Sequence, residues 1–184
     1  MTSLVEHLQA MARNNTWANL RLLQACSQLT EEEYRARRIS FFPSIHLTLN
    51  HILVVDWLYL DALDNGGRRW REIYALDDAP CPTFADVRRE QRAADRRLIA
   101  YCDQLSAAQL DEVVILHRPG DLQYPERVQD VLAHLFQHDI HHRGQVHAML
   151  AGTDVAPPQL DEFFLEQDGP LRADDLRALG LPQR

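Results

Sequence analysis

Val131-Leu132-Ala133-His134-Leu135-Phe136-Gln137-His138-Asp139-Ile140-His141-His142-Arg143-Gly144-Gln145-Val146-His147-Ala148-Met149 carries both the helical pattern and the densest chemistry of this chain. At about 100° per residue, Val131, Leu135, His138, His142, Val146 and Met149 fall within roughly 80° of one another, a core-facing stripe on a long helix. His138 and His142 stand inside the stripe one turn apart, with His134 and His141 at its edge. Both imidazoles at 138 and 142 can therefore reach one point in space. Burying two unpaired imidazoles costs a few kcal/mol, roughly. A shared metal ion satisfies both, since neutral imidazole ligates zinc and also suits nickel, copper and iron. Two ligands on one face need a third from elsewhere in the fold.

Outward from this segment, three more long stretches have helical periodicity. Helix one runs from Ser3, an N-cap with Glu6 at the capping-box position, to about Leu29, with Leu4, Leu8, Met11, Leu22 and Leu29 facing inward. Helix two starts after Pro43 with Ser44 as cap and continues to Leu63, where Asp64-Asn65-Gly66-Gly67 stops it. It is apolar nearly all round, which suits a helix enclosed by neighbours. A connection of roughly 18 residues with Pro80 and Pro82 leads to Thr83, the cap of helix three at about 84–104. Glu112-Val-Val-Ile-Leu-His117 is β-branched and broken by Pro119-Gly120-Asp121, which predicts a short hairpin or lid between helices three and four. Helix four runs from near Pro125-Glu126 to near Ala151-Gly152, and Leu160, Phe163, Phe164 and Leu165 in the tail predict a short C-terminal helix packed back on the others. No repeat or linker divides residues 1–184, so the expectation is one all-α domain.

The third ligand is sought on helix two, which offers His46 and His51 about 140° apart. His51 belongs to the stripe Leu47-His51-Val54-Val55-Leu58 and His46 to Leu49-Leu53-Leu60. Both stripes are apolar, and periodicity does not choose between them.

Composition removes several classes of function. Against 19 basic residues stand 27 acidic ones, a formal charge of −8, and the arginine runs at 35–38, 68–71 and 88–97 have acids beside or within them (Glu33, Glu72, Glu90, Asp95). They read as solvated faces, so no nucleic-acid partner is expected. Every basic residue is arginine, which excludes a lysine Schiff base or lysine general base. Cys26, Cys81 and Cys102 have no CxxC spacing and indicate neither a disulfide framework nor a cysteine zinc site. The first residues lack a signal-peptide pattern and no 18-residue apolar run occurs, so the expectation is a cytoplasmic protein without a membrane partner. HExxH, paired ExxH, GxSxG, Walker A and GxGxxG motifs are all missing, which sets aside zincins, ferritin-like di-iron centres, serine hydrolases and the usual nucleotide sites.

His134 to Gln145, followed by Gly152-Thr-Asp-Val-Ala-Pro-Pro-Gln-Leu160-Asp161, resembles the C-terminal signature of the DinB family, also called DinB/YfiT-like, which is unrelated to the DNA polymerase of that name. Asn14-Asn15-Thr16-Trp17-Ala18-Asn19 and Leu49-Asn50-His51-Ile52-Leu53 are similar to that family's other two motifs, in the same order. The resemblance implies a four-helix bundle of up-down-down-up topology, a three-histidine divalent metal site (zinc or nickel) and homodimerisation. It places the ligands on His51, His138 and His142. Related branches transfer low-molecular-weight thiols such as mycothiol or bacillithiol to electrophiles, or isomerise a substrate with a thiol cofactor.

Three protein ligands leave one coordination position open, the arrangement of catalytic zinc. Two functions compete. One is a metal-dependent enzyme that activates a thiol or water for transfer to a small electrophilic substrate, in stress response or detoxification. The other is a non-catalytic module in which the ion only ties helices two and four, and a fourth ligand such as His46 or Asp56 would favour it. His134 or His141 is a candidate to move a proton or bond a second-shell group, and Arg143 reads as an ion-pair partner or a substrate clamp. Segments 64–82 and 106–125 are long enough to roof the site. No catalytic residue beyond the ligands is assigned.

Overall fold

The computed structural model describes residues 3–64 and 66–183. Four long helices, α1 (Leu4–Cys26), α3 (Ile45–Asp64), α5 (Phe84–Asp103) and α6 (Val128–Leu150), carry most of the core. α1 packs on α5 and α6, and α3 packs on the same two, so each long helix meets two others around a shared interior. That interior is filled by Leu8 and Leu22 of α1, Ile52, Leu53 and Leu60 of α3, Val87 and Leu98 of α5, and Leu132, Leu135 and Val146 of α6. The tail adds α7 (Gly169–Leu179), whose Leu176 packs with Phe163 against Trp17 of α1. Among the described residues no helix is long and apolar enough to cross a membrane.

Helix starts follow their caps. Ser3 accepts from the Glu6 amide while Glu6 reaches back to the Ser3 amide, closing the capping box. Ser44 Oγ accepts from the Leu47 amide and Thr83 Oγ1 from the Asp86 amide. Helix one is three residues shorter than expected, because Ser27 turns the chain as C-cap. Leu4 points outward at 44% exposure, not inward, and Leu29 is only partly buried.

Two short helices occupy stretches the sequence reading leaves irregular, α2 (Glu31–Arg35) and α4 (Trp70–Tyr74). α2 starts on a second capping box, Thr30 with Glu33, and is anchored by buried Tyr34. The expected hairpin forms from β1 (Val113–Arg118) and β2 (Leu122–Arg127), joined by Pro119-Gly120-Asp121 with positive φ at Gly120 and Asp121. It takes residues 122–127 away from helix four, which begins at Val128 and not at Pro125. Pro125 pairs with Ile115. A two-stranded sheet consists of edges alone, where a residue without an amide hydrogen is tolerated.

Candidate metal centre

α3 and α6 bring His51, His138 and His142 together, with one ring nitrogen of each inside a 4.8 Å span. His51 Nε2 and His138 Nε2 are 3.0 Å apart, and the ring centroids are separated by 4.4–4.9 Å. Nitrogens around a tetrahedral zinc stand about 3.3 Å apart, from bond lengths near 2.0–2.1 Å. The donor set therefore fits a small divalent ion after only minor adjustment. His142 Nδ1 is held by Gln145 Oε1 at 2.9 Å and His138 Nδ1 faces Asp139 Oδ1 at 3.3 Å, which leaves Nε2 of both rings for the common centre. Outer partners of this kind fix the tautomer and the ring angle.

Two of the three rings are held toward the neutral form. Burial, then the charges of His142 and His138, push His51 down to about 4, and burial lowers His142 as well. Coordination requires the unprotonated ring, so burial supplies the ligand form near neutral pH.

Segment 36–44 lies against this centre. Arg38 donates to the Met149 carbonyl at the end of α6, and its amide bonds the Pro43 carbonyl at 2.9 Å. Phe42 is thereby stacked on His51, centroids 4.1 Å apart, and lies 5.6 Å from His142. Its neighbours Ile39 and Phe41 are exposed. The ring that covers the histidines thus comes from residues 36–44, whereas segments 64–82 and 106–125, expected to roof the site, touch each other through Trp70 and His117.

The alternative ligands lie elsewhere. His46 is buried against Tyr34, centroids 5.2 Å apart, and faces Asn50. Asp56 accepts from Gln91 of α5 at 2.6 Å. Among the described residues no fourth histidine, cysteine or carboxylate joins the cluster. His141 is exposed, with its ring edge-on to His142 at 4.8 Å between centroids and its Nε2 3.1 Å from Gln145 Nε2, and His134 is exposed with its ring against Tyr59.

Arg143 resolves to structure. Its guanidinium is buried and donates to the Asn15 and Asn19 side-chain carbonyls, with Asp139 Oδ2 at 3.9 Å. The first-helix motif thus holds the arginine of the last-helix motif in place. Around this contact lies a buried polar cluster of Asp56, Gln91, Asp95 and Asp139 that the sequence reading missed as a unit. Burial raises Asp56 well above the usual carboxylate range and lifts Asp95 to about 7. Asp56 stands out in sequence as an acid inside the apolar run Val54-Val55-Asp56-Trp57-Leu58, whereas Asp95 is hidden among the charges of 86–97.

The DinB family model matches residues 3–171. Protein DinB of Bacillus subtilis (strain 168) is 27% identical over 150 residues, which cover 78% of this chain and 85% of the relative. The uncharacterized protein YizA of the same organism is 26% identical over 132 residues, 72% of this chain and 79% of the relative. The matched span holds the histidine triad, its phenylalanine cover and the Asn15–Asn19–Arg143 brace, and the chain belongs to the DinB family.

Proposed function

We propose that the protein is a metal-dependent enzyme in which His51, His138 and His142 hold one zinc or nickel ion, activating a thiol or water for transfer to a small electrophilic substrate. The observation that carries this reading is three imidazoles within a 4.8 Å span and no fourth protein ligand among the described residues. A divalent ion held by these three residues would supply Lewis-acid chemistry, lowering the pKa of a thiol or water brought to it. Asp139 and Gln145 orient the ligand rings, and Phe42 covers the His51 side, limiting water there. A structural ion would need a closed sphere, and His46 and Asp56 are engaged with other partners.

The scaffold in this reading is a single four-helix domain of up-down-down-up topology. His51 faces His138 while Tyr59, further along α3, meets His134, earlier on α6, which sets those two helices antiparallel. Exposed Leu4 of α1 and Ile140 of α6 offer the apolar face for a homodimer in the cytoplasm. The decisive experiment is cobalt substitution. Adding a small thiol should change the visible spectrum as sulfur enters the sphere. No change with any thiol, azide or other small anion, in protein of confirmed metal content, would leave the structural role.

A further inference from the structure

On α6 the row of imidazoles continues past the candidate ligands to His134, and α3 places Tyr59 two turns beyond His51. His134 precedes His138 by one turn, about 6 Å along the axis and rotated by about 40°. Its exposed ring meets Tyr59 edge-on, centroids 5.4 Å apart. Tyr59 follows His51 by eight residues, about 12 Å along α3. Its hydroxyl accepts a hydrogen bond from Arg118 Nη2 at 3.1 Å, and the guanidinium carbon is 5.7 Å from the ring centre. Arg118 sits on β1, so α6, α3 and the hairpin converge one to two turns from the candidate metal position.

Arg118 is half-buried and spends two donors on neutral oxygens, the Tyr59 hydroxyl and the His117 carbonyl. A guanidinium has five N–H donors. Among the described residues no carboxylate forms an ion pair with it, although the chain has 27 acids and Arg71, whose partner Asp121 is in the same hairpin, has its acid at 2.5 Å. The fork is held in one orientation by Tyr59 and keeps its charge unneutralised. Such a fork binds a planar carboxylate. One arginine fork suits a singly charged carboxylate better than a phosphate.

We infer that Arg118, Tyr59 and His134 form the distal end of the substrate groove and recognise a carboxylate on the thiol or substrate whose reacting atom lies at the metal. The inference rests on the open three-histidine centre proposed above. It restricts the substrate class to molecules that carry an anionic group remote from the reacting atom, by about 6 Å (one helical turn) or more.

The test is titration of cobalt-substituted protein with mercaptooctanoate and with mercaptooctanol, followed in the visible spectrum. The carboxylate should bind about tenfold or more tightly than the alcohol, the increment of a charge-assisted hydrogen bond. Mercaptoacetate, too short to span the groove, should gain nothing from its charge. Arg118→Gln should remove the preference while leaving the alcohol's affinity unchanged, and Arg118→Lys should restore part of it. His134→Ala, at an exposed position, should weaken the carboxylate alone. Equal weakening of both probes in Arg118→Gln would limit Arg118 to docking the hairpin and overturn the inference, as would wild-type protein with no preference. A spectrum that responds to neither thiol would remove the open centre itself, and this inference with it.

Discussion

At residue scale, α3 separates two histidines that look equivalent in sequence. His46 turns toward Tyr34 and Asn50, His51 toward His138 and His142. His51→Ala and His138→Ala should therefore each cost more than the about 10–100-fold in affinity that follows loss of an outer partner. His46→Ala should leave the metal in place at a modest packing cost. Elemental analysis of untagged protein reads both, and full occupancy in His138→Ala would refute the ligand set. Asp139→Asn should fall within that 10–100-fold window, because its carboxylate acts on the metal position through the His138 ring. The pair on α6 was legible because an i, i+4 repeat inside one apolar stripe has few other uses. The choice on α3 was not legible from periodicity, because both stripes are apolar and the partner of His46 is Tyr34, in a five-residue helix absent from the sequence reading; the likeness of Leu49-Asn50-His51-Ile52-Leu53 to a DinB motif singled out His51.

Among elements, the long helices were legible through their caps and periodicity, and the hairpin through its β-branched run and Pro-Gly-Asp break. α2 carries the same Ser/Thr-x-x-Glu signal as α1 but stops after five residues, too short for periodicity to register. The docking of the hairpin was invisible, since it depends on contacts between segments far apart in sequence. Trp70 stacks on His117 with rings 5.2 Å apart and 2° from parallel, and Arg71 covers Trp70 at 4.5 Å. Gly67 makes room for this. It has φ +69°, and a Cβ there would stand 2.8 Å from His117 Cδ2. Gly66 has φ +63° with open space around it. Alanine at either position meets the left-handed backbone penalty of about 1–2 kcal/mol, whereas Gly67→Ala must also displace the His117 ring. Urea unfolding should show Gly67→Ala as the more destabilised, with amide exchange in 113–127 faster than in Gly66→Ala. Equal losses would mean that the stacked pair gives way without cost.

For the whole molecule, two sets of buried groups oppose each other in pH. His51, lowered to about 4, and His142, lowered by burial, are neutral in the fold, while unfolded histidine titrates near 6.5. Between about pH 4 and 6.5 the unfolded chain binds more protons at His51, so the histidines make the metal-free protein more stable as pH rises. Asp95, lifted to about 7 by burial, acts in the other sense. Its contribution is fully present below the unfolded value of 3.8, and is lost as pH rises through about 7. In the shared window the two slopes offset one another, each at most about 1.4 kcal/mol per pH unit. Asp95→Asn keeps an oxygen to accept from Asn19 Nδ2 but carries no titrating proton. Metal-free Asp95→Asn should therefore gain stability with pH more steeply than wild type between about 4 and 6.5, and should lose less than wild type toward pH 7. Urea unfolding at fixed ionic strength across pH 4–8 measures both profiles. Parallel curves would mean that Asp95 is ionised in the fold throughout this range, with Arg143 neutralising it despite its direct bonds to Asn15 and Asn19.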